Sequence, residues 1–112
     1  MNLEEKTIDD ILILAMTTPR LDNYVAADFK SSIAERIAKG HHRLILDLGK
    51  VTFIDSSGLG ALVACLKLLG DSKSLVLSHV SAPVLSLFKL TRMDQVFRIY
   101  PTEEDALEAL RV

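Results

Sequence analysis

Apolar and polar positions along this chain switch repeatedly between two periods. Ile11-Leu12-Ile13-Leu14 is continuously apolar and continues to Met16, the pattern of a strand covered on both faces. Lys6-Thr7-Ile8 precedes it across Asp9-Asp10, which predicts a hairpin whose turn lacks glycine. Thr17-Thr18-Pro19-Arg20 breaks the pattern. Val25, Phe29, Ile33 and Ile37 then recur at helical spacing, widened by Ala26, Ala34 and Ala38, until Gly40 stops the run. Asp22 or Asn23 is the expected N-cap of that helix. Arg43 to Leu48 returns to a strand pattern, as does Ser74 to Val80 beyond a turn at Gly70-Asp71-Ser72-Lys73.

The remaining elements follow the same alternation. Ser81-Ala82-Pro83 opens a helix with proline where its missing amide costs little, and Val84, Leu87, Phe88 and Thr91 mark its inner face. Met93-Asp94-Gln95 leads into a short strand, Val96 to Tyr100, ended by Pro101. Thr102 and Asp105 have capping-box spacing ahead of a last helix that turns Ala106, Leu107 and Leu110 inward. The order is β-β-α-β-α-β-α-β-α, which predicts an α/β fold: one domain over residues 1–112, with four helices and a mixed, mostly parallel sheet.

The chain is organised around Val51 to Leu69. Ile54-Asp55-Ser56-Ser57-Gly58-Leu59-Gly60 follows the strand Leu44-Ile45-Leu46-Asp47-Leu48 and precedes a helix expected to start at about Ser57. Asp55 and Ser56 are cap-type residues, because their oxygens accept from the orphan amides of a first helical turn. The same position suits a phosphate: phosphoserine adds about 1.5 to 2 negative charges, and a helix N-terminus tolerates an anion best. Glycines at 58 and 60 keep the approach to the hydroxyl open. The helix itself, from Leu59 to Leu69, carries Lys67 as its only charge. A helix apolar all round is either covered by its neighbours or presents a face to a partner.

Composition narrows the classes. With 112 residues, 49% apolar and 25% charged, the chain can bury a single core. A net charge of −2 argues against nucleic-acid binding, which calls for a basic stripe. No run approaches the roughly 18 to 20 apolar residues that span a bilayer, so no membrane insertion is expected. The N-terminus is polar and acidic, unlike a signal peptide. Cys65 is the only cysteine, which fits a reducing, cytoplasmic setting and a small core residue.

Enzyme chemistry finds little support. Around Ser56 the G-x-S-x-G elbow is half present, with Gly58 after it but Ile54 before it. His41, His42 and His79 lack the context of a catalytic base or the spacing of metal ligands. Gly58-Leu59-Gly60-Ala61-Leu62-Val63 begins like a dinucleotide fingerprint but ends in Val63, and no Walker loop exists. No cofactor is expected.

Leu44-Ile45-Leu46-Asp47-Leu48 followed by Phe53-Ile54-Asp55-Ser56-Ser57-Gly58-Leu59-Gly60 resembles the signature of STAS domains, specifically the bacterial anti-sigma factor antagonists. Leu21-Asp22, Ser81-Ala82-Pro83-Val84 and Leu87-Phe88 extend the resemblance, which runs from about Lys6 to Leu110. One departure is Pro19, where many members carry glycine. The resemblance implies a STAS fold and a regulator rather than an enzyme. It implies that Ser56 is the phosphorylation site, the substrate residue of an anti-sigma factor that is also a serine protein kinase. The unmodified antagonist would bind that partner and release the sigma factor; a PP2C-type phosphatase would act on the phosphorylated form. The resemblance further implies a partner-binding surface of Asp22, Asp55, Ser56, Ser57, Gly58 and Leu59; Asp22 and Asp55 are expected close to Ser56, because strand ends and helix starts converge on one edge of such a sheet. The alternative within the family is a scaffold subunit of a larger signalling or transport-associated complex, without a phosphorylation switch.

Overall fold

The computed structural model describes residues 2–70 and 74–111. Its sheet has five strands in the order β1-β2-β4-β6-β7: β1 (Leu3–Ile8), β2 (Ile11–Met16), β4 (Leu44–Asp47), β6 (Leu75–Ser78) and β7 (Arg98–Tyr100). β1 pairs antiparallel with β2, whereas β2, β4, β6 and β7 run parallel. The hairpin therefore adds an antiparallel edge to a parallel core, as its short connection requires. Asp9 takes a positive φ of 57° at that turn, which an aspartate tolerates better than most residues. Four helices complete the fold: α1 (Ala26–Ala38), α2 (Ser56–Leu69), α3 (Ala82–Leu90) and α4 (Glu103–Arg111).

Alternation along the strands builds two apolar layers. Leu12, Leu14, Leu44, Leu46, Leu75 and Leu77 face Phe29 and Ile33 of α1, Leu62 and Cys65 of α2, and Val84 and Phe88 of α3. Ile11, Ile13, Ile45 and Val76 point the other way and meet Ala106, Leu107 and Leu110 of α4. The uninterrupted apolar runs thus mark strands covered on both faces. Phe97, just ahead of β7, closes the larger layer by stacking on Phe88 at 6.0 Å.

Several expectations are revised. The N-cap of α1 is Val25, without a side-chain bond, rather than Asp22 or Asn23. Asp22 is drawn into a tight turn instead: its Oδ1 accepts the Tyr24 amide, and its carbonyl accepts the amides of Val25 and Ala26. Helix α2 starts at Ser56, one residue ahead of the expected Ser57. β1 begins earlier than Lys6, and β7 begins only at Arg98, Val96 being the C-cap of a 3₁₀ turn over Met93–Gln95. Thr91 is exposed, its hydroxyl donating to the Leu87 carbonyl. Thr102 accepts the Asp105 amide at 3.1 Å as the cap of α4. Positions 71–73 of the expected turn after Gly70 lie outside the described residues.

Two further strands were not anticipated. β3 (Arg20–Leu21) and β5 (Phe53–Ile54) pair in parallel as a separate ribbon, Arg20 opposite Phe53 and Leu21 opposite Ile54. The Pro19 carbonyl accepts the amide of Thr52 at 2.8 Å. Proline costs this ribbon nothing, since it contributes only its carbonyl.

Candidate functional site

The ribbon β3–β5 delivers the site. Directly beyond it, Asp22 and Asp55 continue from Leu21 and Ile54, and the Asp55 amide donates to the Leu21 carbonyl at 3.3 Å. Asp55 is the extended N-cap of α2. Its Oδ1 accepts the Gly58 amide at 2.9 Å, and its Oδ2 accepts the Asn23 amide at 3.0 Å. One carboxylate therefore caps a helix and ties down the neighbouring loop, consuming both oxygens.

Gly58 is buried at this seam. A Cβ there would stand 2.1 Å from the Leu21 carbonyl oxygen, so only glycine lets α2 approach β3 this closely. Gly60 has open space around it. Its value lies in what it leaves uncovered.

Ser56 and Ser57 occupy the first two helical positions and are both exposed. Ser56 also opens a shallow groove of about 420 Å³, lined by Leu59, Gly60, Val63, Ala64 and Lys67 of α2, with Met93 across from them. These α2 positions recur at three- and four-residue steps and share one face. Gly58, Ala61, Leu62 and Cys65 form the opposite, buried face. The question posed by an all-apolar helix thus has a divided answer: one side packs into the core, and the other forms the groove.

Asp22 is buried. Arg20 Nε donates to its Oδ2 at 3.1 Å, and this bond, with the Tyr24 amide, holds its carboxyl below the ordinary value despite the opposing effect of burial. The Arg20 guanidinium lies 4.1 Å from the centroid of the Phe53 ring. Sequence reading missed Arg20, Phe53, Lys67 and Met93. The only available signal for the first two was a cation directly before Leu21-Asp22 and an aromatic directly before Ile54-Asp55.

The histidines serve elsewhere. His79 Nδ1 faces Asp47 Oδ2 at 3.3 Å, and His41 and His42 precede β4 at the opposite ends of the parallel strands from Ser56. Among the described residues no group of three metal-ligating side chains converges, and no helix is long and apolar enough to cross a membrane. Burial pushes the Cys65 thiol up to about 12.

Comparison with known proteins decides the family. The STAS domain family matches residues 2–106. This chain is a STAS domain protein. Among STAS proteins, a Thermotoga maritima relative assigned as an anti-sigma factor antagonist is 32% identical over 108 residues, spanning 95% of each chain. The crystal structure of an anti-sigma factor antagonist from Mycobacterium paratuberculosis superposes with a TM-score of 0.88 at 26% identity, covering 99% of this chain and 94% of that one. The STAS fold of Bacillus SpoIIAA is shared as well. Its unphosphorylated form gives a TM-score of 0.79 at 19% identity, covering 98% of this chain and 96% of that one. Its phosphorylated form gives 0.71 at 18%, covering 98% and 100%. The chain therefore belongs with the anti-sigma factor antagonists of the STAS family, and the fold and family expected from its D-S-S-G-L-G segment hold.

Proposed function

We propose that this STAS protein is the antagonist in a phosphorylation-controlled partner switch. Unphosphorylated, it binds an anti-sigma factor that is also a serine protein kinase and so releases a sigma factor for transcription. The kinase transfers the γ-phosphoryl group of ATP to Ser56 Oγ. The hydroxyl proton passes to a base of the kinase, ADP leaves, and the complex is lost. A PP2C-type phosphatase restores the binding form. The chain acts in the cytoplasm as a substrate and binding module, not as an enzyme.

One observation carries this reading: Ser56 is exposed at the first position of α2 and borders the apolar groove along that helix. A phosphate there is tolerated by the fold, because it sits at the positive end of a helix. It is not tolerated by a partner seated in the groove, which would have to strip its water and bring its own charges close. A thousandfold loss of affinity corresponds to about 4 kcal/mol, within reach of one desolvated phosphate. SpoIIAA supports the first half of this reasoning, since a STAS fold exists there in both states. Asp22, Asp55 and Gly58 shape the surface from behind, Gly58 being buried against Leu21 rather than presented to a partner as expected, while Ser56, Ser57 and Leu59 face or border the partner.

The test is incubation with the cognate anti-sigma factor kinase and ATP, followed by intact mass, site mapping and pull-down. A gain of one phosphate at Ser56 with loss of pull-down, reversed by the phosphatase, is the expected result. Phosphate on Ser57 alone, or a phosphorylated chain that still binds, overturns the switch. Binding to a larger assembly with no modification at all would favour the scaffold role.

A further inference from the structure

Resting on that reading, we infer that Arg20 is a specificity-determining residue: it presents a pre-organised guanidinium that reads a carboxylate of the anti-sigma partner. The side chain is 58% exposed, yet it is held at two points. Its Nε is bonded to Asp22 Oδ2 at 3.1 Å, and its flat face lies on Phe53, with 4.1 Å from Cζ to the ring centroid. The Nε bond serves the fold by pairing buried Asp22, but the terminal nitrogens of the guanidinium add little to that and remain at the surface. Recognition gains more. A guanidinium whose rotamer is already set loses less entropy when it pairs. Its two terminal nitrogens have no hydrogen-bond acceptor within the chain among the described residues, and they form the fork that meets a carboxylate in a bidentate fashion.

The neighbouring charges agree. Both oxygens of Asp22 and both of Asp55 are taken by Arg20, Tyr24, Asn23 and Gly58. These carboxylates are positioning groups, and Arg20 is the cation this loop presents at its surface. Phe53, 41% exposed, supplies apolar area directly beneath the cation, and Tyr24 stands almost fully exposed on the same loop. A partner carboxylate drawn to Arg20 would also be repelled by phosphate on Ser56, so the same contact that selects the partner sharpens the switch.

The experiment measures binding of the purified anti-sigma factor kinase to the parent, Arg20→Lys and Arg20→Glu, with thermal unfolding of each as a fold control. Arg20→Glu should lose on the order of thirtyfold or more in affinity and Arg20→Lys a smaller part; Arg20→Lys should unfold near the parent temperature, and Arg20→Glu lower, because it removes the partner of buried Asp22. Exchanging the paired acidic residue of the kinase for arginine should recover binding of Arg20→Glu. Should Arg20→Glu be unstable, the Arg20→Lys affinity and its salt dependence decide. Parent-like affinity in the folded variants overturns the inference alone; a parent that binds no anti-sigma factor overturns the functional reading with it.

Discussion

Asp55 reaches across to Asn23, accepting its backbone amide at 3.0 Å, while its other oxygen caps the helix that carries Ser56. The phosphorylation candidate is thereby fixed to the loop that holds Asp22. Asp55→Ala removes both bonds and leaves two amides without a partner, a loss of about 1–3 kcal/mol. Asp55→Asn can still accept one amide and should lose less. Urea denaturation of the three proteins checks the order.

The two glycines of the segment should respond in opposite ways. Gly58→Ala places a methyl against the Leu21 carbonyl and should cost about 3 kcal/mol or more, since either the helix or the ribbon must move. Gly60→Ala meets nothing and removes a poor helix former, so stability should rise by up to about 1 kcal/mol. Its methyl enters the groove, however, and partner affinity should fall. Parallel unfolding and binding titrations separate the two effects.

Replacing the acceptor serine tests the charge itself. Ser56→Ala should bind the kinase constitutively, and Ser56→Asp should bind more weakly than the parent, with both folded. Isothermal titration settles this; tight binding by Ser56→Asp would remove the electrostatic basis of the switch. Backbone chemical shifts before and after phosphorylation should change near the start of α2 and little across the sheet.

Acid should act on the Arg20–Asp22 pair in a defined direction. The folded Asp22 carboxyl lies below its ordinary value of 3.8, chiefly because of Arg20. Its contribution to stability is therefore complete above that value and lost as pH falls through the lower folded value. Carboxyl-carbon NMR should show Asp22 titrating late, and Arg20→Met should move its midpoint upward.

Cys65 should be silent towards alkylation in the native state. Its thiol is raised from 9.0 to about 12 by burial, so thiolate is scarce at neutral pH. Labelling by iodoacetamide should keep pace with global unfolding across a denaturant series. Because the folded value lies above the unfolded one, stability should also decline as pH rises beyond about 9.

The helices and main strands were legible because each buries a periodic face, and periodicity survives in the sequence. The apolar run Ile11 to Leu14 and the stripe Phe29, Ile33 are where the pattern says they are. The ribbon β3–β5 was not legible: two residues per strand carry no period, and their pairing depends on chain segments over thirty positions apart. Asp22 was misread as a cap for a related reason. Its short polar side chain suits a turn or a cap equally, and Arg20 decides between them in three dimensions. At the site, Asp55, Ser56 and Gly58 could be read from residue type alone. Arg20 and Met93 could not, since a lone arginine and a lone methionine announce nothing until the fold brings them beside Phe53 and α2.

The hairpin strand β1 has one side hydrogen-bonded to β2 and, among the described residues, no strand on the other. Along that margin Glu4, Glu5, Lys6 and Thr7 stand exposed. A bare strand border invites a second molecule to zip onto it, and a row of charged side chains discourages that. Copies crowded together at high expression would then slide past one another instead of growing into ribbons, leaving the protein dispersed and ready for a different kind of neighbour.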